Sequence, residues 1–368
     1  MKKIKEGKFG VNEAICMVVI IMTTKVFYTS PALLADMVGN AAWYMTIISA
    51  LTAAVGFAFI YLLLKRFENK DITEIYKIVF GKFLGSAIAL ILAVFLLLIS
   101  FATIREFIDV LKVYVMPRSS SNYLIIIFIA VCAAFCYYGL ETIARFSRAV
   151  AYFLLAGLGI VLILSVQNYN INYIFPFWGH GIGATIKHGL LRSSSYGEVI
   201  ILAVIASSLQ GSKNIKKAGF ASIIITAVLI SVSLLSFALC FPHTVGAELT
   251  SPMYEMAMEI GFGRFLQRLD PVFLFVWIIS SFVAVSALMY CSLSIYAKIF
   301  NIKDLKPCIL PFSIIVFCFV LMPKDLMTVI AGYIQNIRTF GFIIFFVFPF
   351  LALIFAAIRK KKGESANA

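Results

Sequence analysis

The sequence predicts an all-α integral membrane protein with ten transmembrane helices, and three observations lead to this fold class. Hydrophobic residues make up 62% of the 368 residues and charged residues only 13%, against about 45–50% and about 25% in soluble domains. Apolar runs of about 20 residues, the length that crosses a bilayer, recur along the chain. Basic residues fall mainly in alternate loops between these runs. The chain is therefore interpreted as a single transmembrane domain, residues 1–368.

Ten segments have the length and polarity of a span. They are predicted at 11–36, 40–64, 83–116, 121–139, 146–167, 188–210, 218–241, 268–298, 307–323 and 334–358. The ninth is short, and Glu198 interrupts the sixth. The third is long, because an unbroken helix from Lys82 to Pro117 measures about 50 Å. A bilayer core is about 30 Å thick, so this helix must tilt or project outward.

Four charged residues lie at the outer end of the third segment: Arg105, Glu106, Asp109 and Lys112. Arg105 and Asp109 are four residues apart, and Asp109 and Lys112 are three apart, so these charges can pair along the helix. A structural role is the first interpretation. Lining an outer vestibule is the alternative.

Charge distribution predicts the orientation of the chain. If the N-terminus is cytoplasmic, most basic residues fall in inner segments: Lys2, Lys3, Lys5, Lys8, Lys65, Arg66, Lys70, Lys77, Lys82, Arg145, Arg148, Lys213, Lys216, Lys217, Lys298, Lys303, Lys306, Arg359, Lys360, Lys361 and Lys362. Fewer fall in outer segments: Lys112, Arg118, Lys187, Arg192, Arg264, Arg268, Lys324 and Arg338. The positive-inside rule then places both termini in the cytoplasm.

Two connections carry readable local signals. The run from Asp71 to Glu74 resembles a capping box, and the apolar residues that follow have helical spacing. This predicts a short helix at the inner interface. Ser251 and Pro252 resemble the Ncap and N1 residues of another short helix. That helix either covers the outer mouth or lies on the surface.

The composition disfavours an enzyme, a metal site and a bound cofactor. The seven cysteines lie mostly within or at the ends of apolar runs without a C-x-x-C motif, so they are interpreted as small buried hydrophobes. The three histidines fall in predicted outer connections, and no nucleophile–base pair is visible. A formal charge of +14 does not indicate nucleic acid here, because the basic residues occupy short loops. The first apolar run is interpreted as a retained span rather than a signal peptide, since it contains Lys25 and no obvious cleavage site.

Two ionisable residues, Lys25 and Glu198, lie near the middle of strongly apolar segments. A charge at mid-bilayer costs about 3 kcal/mol on insertion scales, which makes each a candidate for a functional site. Both lie in runs that break helices, TTKVFYTSP at 23–31 and SSSYGE at 193–198. Unwound backbone at this depth persists only where it lines a cavity or is buried in protein. The pattern predicts a midplane site between two broken helices.

The predicted ligand-binding residues all belong to these two runs: Lys25, Tyr28, Thr29, Ser30, Ser194, Ser195, Tyr196 and Glu198. Free amides suit a carboxylate and exposed carbonyls suit an ammonium group, so the ligand is expected to be a small zwitterion such as an amino acid. The alternative is that Lys25 and Glu198 only form a buried salt bridge. Ser280 and Ser281 are candidates for sodium coordination, which a nearby lysine ammonium disfavours.

Four runs occur in a characteristic order: the run ending in Ser30-Pro31, VGNAAWYMTIISA at 38–50, SSSYGEVIILAVIASS at 193–208, and RLDPVFLFVW at 268–277. By these the chain resembles the endospore germination permease family, the B subunits of nutrient germinant receptors. That family lies within the amino acid–polyamine–organocation transporter superfamily. The resemblance covers almost the whole length.

The resemblance implies a five-plus-five inverted repeat, with repeat one at about 11–167 and repeat two at about 188–358, in which helices 1 and 6 are discontinuous. It also implies a germinant sensor of the spore inner membrane that works with a membrane-embedded A subunit and a lipoprotein C subunit. The family usually has glycines where this chain has Thr24 and Val26. Lys25 is therefore expected to supply through its side chain the counter-charge for a ligand carboxylate.

Three functions remain open. The first is a receptor subunit that binds a small nutrient germinant, an amino acid, and signals germination. The second is a proton-coupled amino-acid or amine permease with Glu198 as proton carrier. The third is a channel-like subunit that passes ions or water once the complex is triggered.

Overall fold

The computed structural model describes residues 7–209, 211–261 and 270–361. Within these ranges the regular structure is helical throughout, with no β-strand. Seven helical segments there are long and apolar enough to cross a membrane: Ser30–Arg66, Lys82–Tyr114, Ser121–Tyr138, Leu140–Asn168, Ser212–Cys240, Asp270–Phe300 and Leu326–Ile358. The chain is thus an all-helical, multi-pass membrane protein, as predicted. The count of ten spans stays a prediction.

The first part of the chain forms these α-helices: α1 Val11–Thr23, α2 Ser30–Val38, α3 Ala42–Arg66, α4 Ile72–Phe80, α5 Lys82–Tyr114, α6 Ser121–Tyr138 and α7 Leu140–Leu164. The second part forms α8 Ile182–Leu191, α9 Ile201–Val204, α10 Ser212–Cys240, α11 His243–Gly246, α12 Pro252–Met258, α13 Asp270–Phe300, α14 Lys306–Leu321, α15 Leu326–Thr328, α16 Gln335–Phe342 and α17 Phe348–Ile358. Two π-helical stretches, Val329–Ile334 and Ile343–Val347, flank α16.

The predicted boundaries at Gln210 and Arg268 lie outside the described residues, as do six basic residues used for the orientation: Lys2, Lys3, Lys5, Arg264, Arg268 and Lys362. The last apolar segment begins at Leu326, about two turns before the predicted start at 334. Arg338 lies inside this segment, as it does inside the predicted span 334–358. It therefore does not belong with the outer basic residues with which it was grouped from the sequence.

The core is centred on α1 and α13, whose side chains are largely buried. Helix α1 packs against α7, α10 and α13, and α5 packs against α13. The end of α1 at Thr23 is consequently inside the protein, where Thr23 and Thr24 are both buried. Any irregular backbone at this point is shielded from lipid, as the bilayer requires.

Helix α4 begins where the sequence predicts. The Asp71 carboxylate is its N-cap and accepts from the amides of Thr73 and Glu74 at 2.9 and 3.0 Å. Its apolar face is fully buried against the neighbouring helices, α5 among them. The same carboxylate pairs with Lys298 Nζ at 3.1 Å. Capping and ion pairing thus attach α4 to the end of α13.

Helix α12 also begins where predicted, with Pro252 in its first turn. Ser251, however, makes no capping bond. Its hydroxyl instead donates to the carbonyl oxygen of Phe27 at 2.8 Å. The apolar residues Met253, Met256 and Ala257 are buried beneath the helix. The predicted Ncap position of Ser251 and N1 position of Pro252 are confirmed, and helix α12 is docked on the segment that follows α1.

Candidate functional site

The first interrupted segment lies between α1 and α2. After Thr23 the chain continues as a 3₁₀ turn, Thr24–Phe27, and Tyr28 and Thr29 connect it to α2. Pro31, in the first turn of α2, has no amide to donate and disfavours a helical residue before it. An unbroken α-helix through this point is thereby disfavoured, and backbone groups are released from helical bonding.

The second interrupted segment is the 3₁₀ stretch Arg192–Ile200 between α8 and α9. Serine hydroxyls here bond to carbonyl oxygens outside the stretch: Ser193 to Leu190 at 2.8 Å and Ser194 to Arg338 at 2.6 Å. Gly197 is required by packing, because a Cβ atom there would lie 1.9 Å from the Phe345 ring. The serines and the glycine together allow this stretch to sit against the last helical segment.

An ion pair joins the two interrupted segments. Lys25 Nζ lies 2.6 Å from Glu198 Oε2 and also donates to the carbonyl oxygen of Ser195. The side chain of Glu198 is 0% exposed. The predicted proximity of the two charges is confirmed, and a ligand-binding role for them stays a prediction.

A second cation shares the same carboxylate. Arg338 reaches Glu198 Oε1 at 3.3 Å and the Ser194 carbonyl at 3.5 Å. The two π-helical stretches on either side of α16 change the helical register there, as π-turns do at many functional sites. Glu198 thus has a cation at each of its two oxygens, which offsets the cost of burying its charge.

Glu106 is a further buried carboxylate, 6% exposed. It accepts from the Thr29 amide at 3.0 Å and from the Thr29 hydroxyl. The predicted Arg105–Asp109 pair forms at 2.8 Å, whereas Lys112 bonds to the Ser121 hydroxyl. Glu106 thus bonds to the first interrupted segment and not to the other charges of its own segment. One residue along a helix turns a side chain by about 100°, so Glu106 and Arg105 lie on different faces of α5.

The two predicted tyrosines, Tyr28 and Tyr196, differ in whether their hydroxyl groups have hydrogen-bond partners. The Tyr28 hydroxyl bonds to Ser281 Oγ at 2.7 Å. Ser281 also donates to the Trp277 carbonyl at 2.7 Å, so its hydrogen-bonding groups are already engaged. Tyr196 is 1% exposed, and its hydroxyl has no hydrogen-bond partner among the described residues. Ser30 begins α2.

Two small cavities, each of about 30 Å³, lie beside the ion pair. The first is lined in part by Ser195 and Tyr196, and the second in part by Tyr28, Thr29 and Glu106. Ser194 lines neither. Each volume suffices for about two water molecules, far below the roughly 300–1,000 Å³ of ligand pockets. The structure is thus closed around its charged centre.

Lys25, Ser30 and Arg192 line both cavities. These three side chains therefore form the partition between them. Arg192, assigned to an outer segment from the sequence, is buried with 6% exposure and donates to Gln335 Oε1 at 2.7 Å. Hydropathy placed it at a segment end, and only the fold shows that it turns inward. We refer to Lys25, Glu106, Arg192, Glu198 and Arg338 as the charge cluster.

No group of three or more His, Cys, Asp or Glu side chains in the described ranges is arranged to hold a metal ion. The described cysteines are all free thiols. The site offers a ligand hydrogen bonds and fixed charges, from two carboxylates, a lysine, two guanidinium groups and backbone carbonyls.

Solved structures with the same fold include two proteins with small ligands bound. The structure of MhsT in complex with L-phenylalanine matches with a TM-score of 0.69 at 13% identity, over 97% of this chain and 91% of that one. The nucleobase-cation-symport-1 family transporter Mhp1, closed with bromovinylhydantoin bound, matches with a TM-score of 0.65 at 11% identity, over 93% and 80%. At these identities the likeness shows the fold alone.

Sequence relatives identify the family. Spore germination protein A2 of Bacillus subtilis (strain 168) is 24% identical over 327 residues, which covers 83% of this chain and 85% of that protein. The sequence model of the spore permease family, described as spore germination protein, matches residues 9–329. The resemblance seen in the sequence is confirmed, and the chain belongs to the spore germination permease family.

Proposed function

We propose that the chain is a germinant receptor subunit that binds a small nutrient, an amino acid, at the charge cluster and signals germination without catalysing a reaction. The observation that carries the proposal is the ion pair Lys25–Glu198, which joins two interrupted helical segments beside closed cavities. A bound ligand that separates or bridges these charges changes how the two segments are held. Family membership supports the link to germination.

The proposal includes the full architecture: ten spans in a five-plus-five inverted repeat, with α1–α2 and α8–α9 as the discontinuous helices. The 3₁₀ stretches at Thr24–Phe27 and Arg192–Ile200 support the two interruptions. The match to MhsT over 97% of the chain supports the topology. The proposed location is the inner membrane of an endospore with both termini in the cytoplasm, in complex with a membrane-embedded A subunit and a lipoprotein C subunit.

Signalling starts from the closed state, whose cavities are small. A ligand shifts a conformational equilibrium only by the difference in its affinity for the two states. Cavities of about 30 Å³ cannot hold an amino acid, so the ligand binds a more open state in which the partition side chains have moved. The ligand's binding free energy stabilises this open state over the closed one, and the partner subunits detect the change.

The test uses spores that carry Glu198→Gln. We expect them to lose the response to one amino acid while they germinate normally with a stimulus that bypasses receptors. Glu141→Gln is the matched control, because Glu141 forms a largely exposed pair with Arg145. An unchanged amino-acid response in Glu198→Gln spores, with the chain present at normal abundance, would contradict the proposal.

The second candidate is a proton-coupled amino-acid or amine permease. The fold shared with the transporter Mhp1 favours it, and Glu198 is the carboxylate placed to carry a proton. A permease transports alone, whereas the receptor subunit needs its A and C partners for a response. This difference decides between the two.

A further inference from the structure

Arg192 differs from the other cations of the charge cluster in having no carboxylate partner. Lys25 and Arg338 both pair with Glu198. In the part of the chain that the structure describes, no carboxylate oxygen forms an ion pair with Arg192, whose one hydrogen bond is to the neutral Gln335. Thr29 already donates two hydrogen bonds to Glu106. The cluster therefore holds three cations and two carboxylates.

A buried guanidinium without a counter-ion is costly. It presents five N–H donors in a planar fork, and a charge taken out of water without a partner loses several kcal/mol of solvation. An anion that entered this site would recover that energy. The fork matches a carboxylate with two parallel hydrogen bonds.

The position of Arg192 makes it accessible to a ligand of the charge cluster. It lies at the start of the 3₁₀ stretch Arg192–Ile200 and lines both cavities. Tyr196, on the same stretch, lines the first cavity with an unpartnered buried hydroxyl. A donor fork and a free hydroxyl thus border one space.

We propose that Arg192, oriented by Gln335, binds the carboxylate of the germinant, so that the receptor accepts only ligands with an ionised carboxylate. This rests on the proposed receptor function. It reassigns the role that the sequence suggested for Lys25, whose charge is already neutralised by Glu198. Neutral nutrients and amines without a carboxylate are excluded as ligands of this site.

The experiment measures the thermal unfolding of the purified full-length chain in the presence of each of the twenty common L-amino acids. The best amino acid is then compared with its carboxamide, which has the same side chain and ammonium group but no carboxylate. We expect the amino acid to raise the unfolding temperature and the carboxamide to leave it unchanged. Stabilisation by the carboxamide equal to that by the amino acid would overturn the proposal.

Substitutions of Arg192 test whether this residue is the one that binds the carboxylate. Arg192→Gln is expected to weaken amino-acid binding about 10- to 150-fold, the value of one or more charge-assisted hydrogen bonds. Arg192→Lys keeps the positive charge and replaces the glutamine variant if that variant does not fold. It should bind the amino acid more weakly than the wild-type chain does and should still not bind the carboxamide. Lys187→Gln, which removes an exposed cation from α8, should have no effect. Full affinity in both Arg192 variants would overturn the proposal.

A free inorganic anion is the other possible partner of Arg192. The titrations are therefore repeated at low and at high chloride concentration. Amino-acid binding that does not depend on the chloride concentration supports the proposal. The proposal would be overturned if chloride alone raised the unfolding temperature and Arg192→Gln abolished that rise. It would also be overturned if none of the twenty amino acids raised the unfolding temperature. Failure of the receptor function itself is read separately, from the Glu198→Gln spores.

Discussion

Glu198 holds the centre of the site because it is the only carboxylate that the two cations Lys25 and Arg338 share among the described residues. At about 4 Å and an effective dielectric of about 20, each such pair gains about 4 kcal/mol of Coulomb energy before desolvation. Desolvation cancels much of this gain, so the pairs are nearly neutral when intact and costly when broken.

This geometry ranks three variants by their free energy of unfolding. Lys25→Met should be the mildest, because Glu198 keeps Arg338. Glu198→Gln should be the worst, at about 3–5 kcal/mol, because it leaves both cations buried without a partner. The double variant should lie between them, since only Arg338 then lacks a partner. Denaturant titration of the purified chain gives the three values.

Equal losses in all three variants would contradict direct coupling between the charges. The matched control is Arg145→Met, which breaks an exposed pair with Glu141. Such surface pairs contribute about 0–1 kcal/mol, so this control should be almost silent.

The sequence could predict Lys25 and Glu198, because a charge in the middle of an apolar run is a signal that needs no knowledge of neighbours. It could not predict Arg192, Arg338 or Glu106. Each of these lies near a predicted segment end or among other charges, where an exposed position is the ordinary interpretation. The π-helical register around Arg338 also leaves no pattern in hydropathy.

At the scale of elements, the two interrupted segments are held in similar ways. The carbonyl of Phe27 accepts from Ser251, which precedes α12. The carbonyl of Val204, at the end of α9, accepts from Lys298 on α13 at 3.3 Å. The end of the 3₁₀ turn at Phe27 and the end of α9 at Val204 are thus each bonded to a polar side chain from another part of the chain. Such contacts satisfy carbonyls that an unbroken helix would have satisfied itself.

Helix α4 provides a test at this scale, because Asp71 both caps it and pairs with Lys298. Asp71→Asn keeps a capping oxygen but loses the ion pair, whereas Asp71→Ala loses both. We expect Asp71→Ala to lower the free energy of unfolding by about 1 kcal/mol more than Asp71→Asn does, the value of an N-cap. Hydrogen exchange at the Thr73 and Glu74 amides should rise only in Asp71→Ala.

Equal destabilisation by the two Asp71 variants would show that the cap contributes nothing. Asp36→Ala is the control, because Asp36 is exposed and such substitutions usually change stability by less than about 0.5 kcal/mol. The short helices α4 and α12 were both predicted from local signals. The partners Lys298 and Phe27 were not, because they lie more than 200 residues away in the sequence.

At the scale of the whole molecule, the question is whether the site opens to both sides of the membrane in turn. Ser251 bonds to the segment that follows α1, and Lys298 bonds to the end of α9. A permease must open its site to each side alternately, whereas a receptor needs only one open state that its partners detect. The closed cavities are compatible with either cycle.

We expect the isolated chain in proteoliposomes to bind its amino acid saturably without accumulating it. Uptake of labelled amino acids under an imposed proton gradient is the measurement, and liposomes with the Glu198→Gln chain give the background. Robust accumulation against a gradient, abolished by Glu198→Gln, would reject the receptor-only function in favour of the permease.

The ion pair also bears on how the chain is made. Glu198 follows Lys25 by 173 residues, and synthesis proceeds at about 5–20 residues per second, so the carboxylate emerges about 9–35 s after the lysine. During that interval the segment that carries Glu198 has not been made, so the Lys25 ammonium group lacks this partner. A charge at mid-bilayer costs about 3 kcal/mol on insertion scales. In the proposed ten-span topology the first helix is therefore inserted before the charge that neutralises it exists. That topology requires an early insertion step that the final structure no longer reveals.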